Sequence, residues 1–301
     1  HSTARWLGAA SLGMFAALAP LQAQQKLAAV KIGSRIDVTV AGKFFTSYRF
    51  TADEKYPLFF PVNGSSGASV TSMRNGEYPH HSSLFFGCDM LNGGNYWQEG
   101  LERGQILSEG AVLQNPSGNE IVITDACSWK RPESNPIRDT RRIVISAPSE
   151  SLRRIDFEIT LEALEDVTIR KTNHSLFSAR MDPDLTPAFG GTMINAEGLT
   201  GEKATFGQAS PWLACYGSRH EKVVEGLAIF QHPGNPGFPA KWFTRDYGFL
   251  SPTPMFWPAN GDHTQLAKGE KLHLRYRVVV FSGNSETATL AQHFNEYSIT
   301  K

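Results

Sequence analysis

Apolar residues fall at every second position in stretches spread from one end of the chain to the other. Ile36, Val38 and Val40 alternate with Asp37 and Thr39, and Ile155, Phe157, Ile159 and Leu161 alternate with Asp156, Glu158 and Thr160. Leu272, Leu274, Tyr276, Val278 and Val280 do the same around His273, Arg275 and Arg277. Successive side chains of a strand point to opposite faces, so a period of two marks half-buried strands. A turn at Ala41-Gly42-Lys43 followed by Phe44 to Phe50 predicts a hairpin. Val112-Leu113, Ile121 to Thr124, Ile143 to Ile145 and Leu227 to Phe230 read as further strands. The 27 glycines and 17 prolines supply the turns that many short strands need. Near the end the period changes: Leu290, Phe294 and Tyr297 share one helical face, with Ser285 placed as an N-cap. No βαβ rhythm, fixed-period repeat or low-complexity linker interrupts the pattern. The expected fold is therefore all-β, a large antiparallel β-sandwich with one short C-terminal helix, and a galactose-mutarotase-like supersandwich is one form it could take. Residues 24–301 are expected to make a single domain.

The first residues differ from the rest. Arg5 precedes an apolar run from Trp6 to Leu21 that ends in Leu21-Gln22-Ala23, the layout of a secretory signal peptide over residues 1–23. Gly13 and Pro20 interrupt a run already short for a membrane span. Export to the periplasm or the extracellular space is expected, with no membrane segment in the mature chain. Lys plus Arg and Asp plus Glu are equal at 29 each, so the broad positive field of a nucleic-acid binder is missing. With 41% hydrophobic and 19% charged residues, the 301-residue chain can bury a sizeable core. Cys88, Cys127 and Cys215 are odd in number and widely spaced, which fits buried thiols better than a disulfide framework or a zinc motif.

Polar and aromatic residues concentrate in three loop segments. The first holds Glu77-Tyr78-Pro79-His80-His81-Ser82, followed by Asn95-Tyr96-Trp97. Adjacent residues of an extended segment face opposite ways, so one of His80 and His81 is expected to face a pocket. The second is Thr172-Asn173-His174-Ser175, with Arg180 a few residues on. The third runs from His232-Pro233-Gly234-Asn235 to Trp242-Phe243-Thr244-Arg245-Asp246-Tyr247-Gly248. Its prolines and glycines limit the entropy lost in presenting side chains, and Arg245 could clamp an anion. Each segment also has a plain structural reading: histidines bonded to backbone carbonyls, and Arg245-Asp246 as a surface pair. Trp97, Trp129, Trp212, Trp242 and Trp257 lie in or near loops, where indole faces could stack on sugar rings; core filling suits Trp129 and Trp212. Arg138 to Arg142 reads as a solvated charge run. The chain has no Gly-x-Ser-x-Gly elbow, phosphate-binding Gly-Lys-Ser/Thr loop or His-Glu-x-x-His helix.

Taken in order, Tyr78-Pro79-His80-His81-Ser82-Ser83-Leu84-Phe85, Asn95-Tyr96-Trp97 and Asn173-His174-Ser175-Leu176-Phe177 resemble the bacterial domain-of-unknown-function family 6807. His232-Pro233-x-Asn235-Pro236 and Trp242 to Gly248 match its pattern as well. The resemblance runs from the first hairpin to about Phe281. The family commonly has Asp-His before Pro-His-His and Arg after it, where this chain has Glu77-Tyr78 and Ser82. Its members often carry the label "methane oxygenase PmoA". A membrane monooxygenase subunit needs several spanning helices, and residues after 23 offer none. The resemblance implies an exported β-sandwich of polysaccharide-degrading bacteria.

Three functions are therefore set against each other. In a carbohydrate-active enzyme (hydrolase, lyase or epimerase), His81 with His174 or His232 would be the acid and base. Arg245 would hold a negative group and Tyr247 a hydroxyl, with His80, Trp97, Arg180, Asn235, Trp242 and Asp246 contacting a small-molecule or glycan substrate. In a sugar-binding module the same loops bind without turnover, through Trp97 and Trp242. In a metal-dependent enzyme, His80, His81, His174 and His232 would gather round an ion; no particular cofactor is implied.

Overall fold

The computed structural model describes residues 23–219, 223–283 and 287–300. Most of the expected signal peptide and the Ser285 cap lie outside these residues. The alternating segments are strands: Leu152–Ala163 buries every second side chain over most of its length, as its sequence requires. Arg35–Val40 and Lys43–Arg49 form the expected hairpin, closing at Val40 opposite Lys43.

Two antiparallel sheets result. The first, of twelve strands among the described residues, runs Trp242–Arg245, Phe249–Pro252, Ser175–Arg180, Leu84–Leu91, Leu58–Val62, Lys43–Arg49, Arg35–Val40, Leu27–Ile32 and Ser117–Gly118, with three short strands off this path. The second, of nine, runs Thr192–Asn195, Trp212–Arg219, Val223–Gln231, Lys271–Ser282, Leu152–Ala163, Ser134–Ser149, Glu120–Arg131 and Gln105–Ser108, with Val112–Asn115 beside Glu120–Arg131. The sheets pack face to face through aromatic rings. Phe157 of the second meets Phe59, Phe86 and Phe177 of the first, with centroids 5.0 to 6.5 Å apart. Trp129 packs on Phe86 and Tyr96. The expected sandwich is what forms. Its C-terminal helix, Thr287–Ser298, covers the outer side of the second sheet by setting Leu290 and Tyr297 against Trp212, Phe230 and Phe281. A short α-helix, Gly201–Thr205, and four 3-10 turns among the described residues interrupt the strands.

The Arg138 to Arg142 stretch is not uniformly solvated. It lies in a strand, so its residues alternate: Arg138 and Arg142 face outwards, while Asp139 and Arg141 point inwards as a fully buried pair at 2.8 Å. Asp139 also accepts the indole N–H of Trp129 at 2.8 Å, so the inward charges are paired and hydrogen-bonded. All three cysteines are buried and unpaired. Among the described residues no helix is long and apolar enough to cross a membrane.

Candidate active site

Strand register decides which loop residues meet. Phe86 and Phe177 are paired neighbours that face the second sheet. Residues of the other parity, including Phe85, Asp89 and Arg180, therefore face away from it, on the outer side of the first sheet. Cys88 pairs with Ser175, which brings His174 beside Asp89, and Arg180 pairs with Phe249. Over this face lie the Tyr78–His81 loop, the Trp97 segment and the turn carrying Tyr247. Gly248 has φ +91°, and a Cβ there would sit 2.4 Å from a Thr186 methyl; only glycine lets this turn close down over Met181 and Thr186.

The resulting layer is aromatic, with the Arg180 guanidinium set among the rings. Phe85 and Phe249 support Trp97 at 4.8 and 6.1 Å. Trp97, 1% exposed, stacks beneath His174 at 5.5 Å. His80 touches both other histidines, at 4.4 Å from His81 and 5.9 Å from His174. His81 lies between Phe249 at 4.4 Å and Tyr78 at 5.1 Å, and Tyr78 stacks on Tyr247 at 4.4 Å. The Arg180 guanidinium sits 4.4 Å from the Tyr247 ring centre and 5.4 Å from that of Tyr78.

Asp89 orients His174. Its Oδ2 lies 2.7 Å from His174 Nδ1, and its other oxygen accepts the Thr172 hydroxyl. Gln98 Nε2 is also 3.3 Å from that Nδ1. A donor amide and a carboxylate want opposite protonation of one nitrogen, and the shorter charged contact decides: Nδ1 carries the proton and donates to Asp89. Nε2 of His174 is then left as the basic nitrogen. Burial, with His80, Arg180 and His174 close by, pushes His81 down to about 2, so its ring is neutral. Burial and His174 also lower His80. Burial raises Tyr247 to about 12.

The site carries four buried polar atoms without a hydrogen-bond partner: His81 Nδ1, Trp97 Nε1, and Nε and Nη1 of Arg180. Such atoms are costly unless something satisfies them. Asp89 is the residue that reading the loops missed. It sits in the apolar run Leu84–Leu91, where a lone carboxylate on a buried strand implies a partner; that was its available signal.

The third loop goes elsewhere. His232 accepts the Gly234 N–H at Nδ1 and reaches the Thr300 carbonyl from Nε2 at 3.1 Å, with Tyr297 against its ring. Asn235 exchanges two hydrogen bonds with the backbone of Arg275, at 2.8 and 2.9 Å. Trp242 is fully buried and donates its indole N–H to the Ser210 carbonyl. Arg245 packs on Phe243 and bonds Glu202 at 3.1 Å, and Asp246 accepts the Glu202 N–H at 2.8 Å. Of the expected site residues, His80, His81, His174, Trp97, Arg180 and Tyr247 come together. No contact among the described residues joins His232, Asn235 or Trp242 to that group. Nor is any set of three or more His, Cys, Asp or Glu side chains among the described residues grouped to hold a metal ion. A hollow of about 770 Å³ lies beside Phe256 and Trp257 and is lined by none of the histidines.

A family model described as a family of unknown function, DUF6807, matches residues 35–295. The chain belongs to this family. The match covers all the DUF6807 residues discussed above, from the first hairpin to the C-terminal helix. No curated protein matches the chain. Among the solved structures that match the chain, two show low similarity. One, described as a kojibiose phosphorylase from the human microbiome, is 7% identical with a TM-score of 0.38, over 85% of this chain and 32% of its own. The other, a polysaccharide lyase, is 11% identical with a TM-score of 0.29, over 87% of this chain and 33% of its own. This DUF6807 chain thus spans about a third of the length of each, and likeness at this level carries no argument about activity.

Proposed function

We propose that this protein is a carbohydrate-active enzyme in which His174, oriented by Asp89, moves a proton on a sugar held by the surrounding histidines, tyrosines and Arg180. The observation that carries this reading is the 2.7 Å contact between His174 Nδ1 and the buried Asp89 carboxylate, set among unsatisfied donors. A carboxylate on Nδ1 fixes the tautomer, steadies the ring and stabilises the imidazolium formed when Nε2 takes a proton. A sugar offers hydroxyls as hydrogen-bond partners to His80, His81 and Tyr247.

Hydrolysis by two carboxylates needs a pair flanking the scissile bond. Among the described residues Asp89 is the one carboxylate with contacts into this group, and His174 and Thr172 already occupy it. Proton abstraction, as in a lyase or an epimerase, suits the set better. The test is turnover of a glycan panel by the wild type, His174→Ala and Asp89→Asn. Loss of the base is expected to lower kcat about 10²- to 10⁴-fold, with a comparable loss for Asp89→Asn, which sets the wrong tautomer. Full turnover by folded His174→Ala would refute the assignment. Sugar binding without turnover in the wild type would make the protein a binding module instead.

A further inference from the structure

Arg180 is only 5% exposed, yet no carboxylate approaches it among the described residues. It takes part in no ion pair there, and its Nε and Nη1 have no acceptor. Arg153, 7% exposed with an unpartnered Nε over the Phe45 ring, is left in the same way, but three interior arginines are held by carboxylates. Arg141 is paired with Asp139, Arg277 with Asp156, and Arg219 with Glu225 and Asp182. Arg180 has only the ring faces of Tyr247 and Tyr78. An aromatic face attracts a cation but cannot accept the in-plane N–H bonds of a guanidinium. His81 beside it is neutral, and Asp89 is engaged by His174 and Thr172. The positive charge of Arg180 thus has no anion in contact with it, since the one carboxylate of the group is bonded to His174 and Thr172.

We infer that the sugar bound here is a uronate, its carboxylate accepting the unpartnered Nε–H of Arg180 together with the Nη2–H on the same edge, the fork that Arg141 and Arg277 also use, while the ring lies toward His80 and His174. A planar monoanion matches both features of the group. It supplies one negative charge to one uncompensated cation, and its two oxygens fit the fixed fork of a guanidinium. A phosphate monoester would bring roughly two negative charges to a single unpaired guanidinium. The inference rests on the sugar-enzyme reading above and narrows its substrate class. It also assigns to Arg180 the anion-holding role that the sequence offered to Arg245, whose guanidinium is held by Glu202.

The test is equilibrium binding of oligoglucuronates, oligogalacturonates and oligomannuronates to the whole protein, beside their methyl esters and the matching neutral and sulfated oligosaccharides. At least one acid is expected to bind ten-fold or more tighter than its own ester, which keeps the ring and removes the charge. That comparison needs no variant, so it stands even if substitutions at Arg180 impair folding. In Arg180→Gln, checked by circular dichroism, the acid-over-ester preference should vanish, and Arg180→Lys should restore it in part. Equal binding of acid and ester, a sulfated sugar preferred to every uronate, or a preference surviving in folded Arg180→Gln would each overturn the inference. Neutral sugars turned over with no preference for acids would defeat it and leave the proposed enzyme standing. Uronate binding with turnover unchanged in His174→Ala would do the reverse. Binding of neither class would remove both.

Discussion

His81 is 4% exposed and its Nδ1 has no partner, while its ring is stacked between Phe249 and Tyr78. Burial pushes it down to about 2, whereas in the unfolded chain it titrates near ~6.5. Below pH ~6.5 the unfolded chain therefore binds a proton that the folded protein refuses. The linked stability is fully present above that pH and is lost as pH falls toward the folded value, at up to about 1.4 kcal/mol per unit. His80 and His232, also lowered, add to the same slope. His81→Phe keeps the ring stack and cannot be protonated. Its urea midpoint should fall less steeply than that of the wild type between pH 6.5 and 4.5, and parallel slopes would show that His81 is not the buried neutral group described. At the same scale, Asp89 shows what the loops hid. Its importance comes from a partner 85 residues away, and no local pattern encodes that distance.

The loop that follows the Val223–Gln231 strand illustrates how elements divide the labour. Its histidine and asparagine resemble catalytic groups in sequence, and in the fold they act as fasteners. His232 ties the loop to Thr300, after the C-terminal helix, and Asn235 pairs with Arg275 much as a neighbouring strand would. His232→Ala leaves the Gly234 N–H without its acceptor, while the Thr300 carbonyl keeps Arg275, and should cost about 1–2 kcal/mol. Sugar turnover, measured where the variant is folded, should be unchanged; a large drop in kcat with normal stability would return His232 to the chemistry. By contrast, the turn between Trp242–Arg245 and Phe249–Pro252 carries Tyr247 onto Arg180, because the strand Phe249–Pro252 lies beside Ser175–Arg180.

Across the whole molecule, the sheets are joined by a layer of rings with Phe157 near its centre, and the proposed chemistry sits on the opposite side of the first sheet. Phe157→Ala would empty the contact with Phe59, Phe86 and Phe177 and should cost about 3–5 kcal/mol, seen as a lower denaturant midpoint. A loss below about 1 kcal/mol would mean that the sheets are held by something else. The strands and their inward faces were readable because each is a local rule: an apolar residue at every second position must be buried on one side. The hairpin at Ala41-Gly42 and the helix under Leu290, Phe294 and Tyr297 were readable for the same reason. Which loops share a site was not. That depends on which strands become neighbours and in what register, a choice made by packing between segments far apart in the chain. Pairing Cys88 with Ser175 and Arg180 with Phe249 gathered His80, His81, His174, Arg180 and Tyr247 on one face, and it sent His232 to the far sheet, beyond anything the order of residues alone could specify.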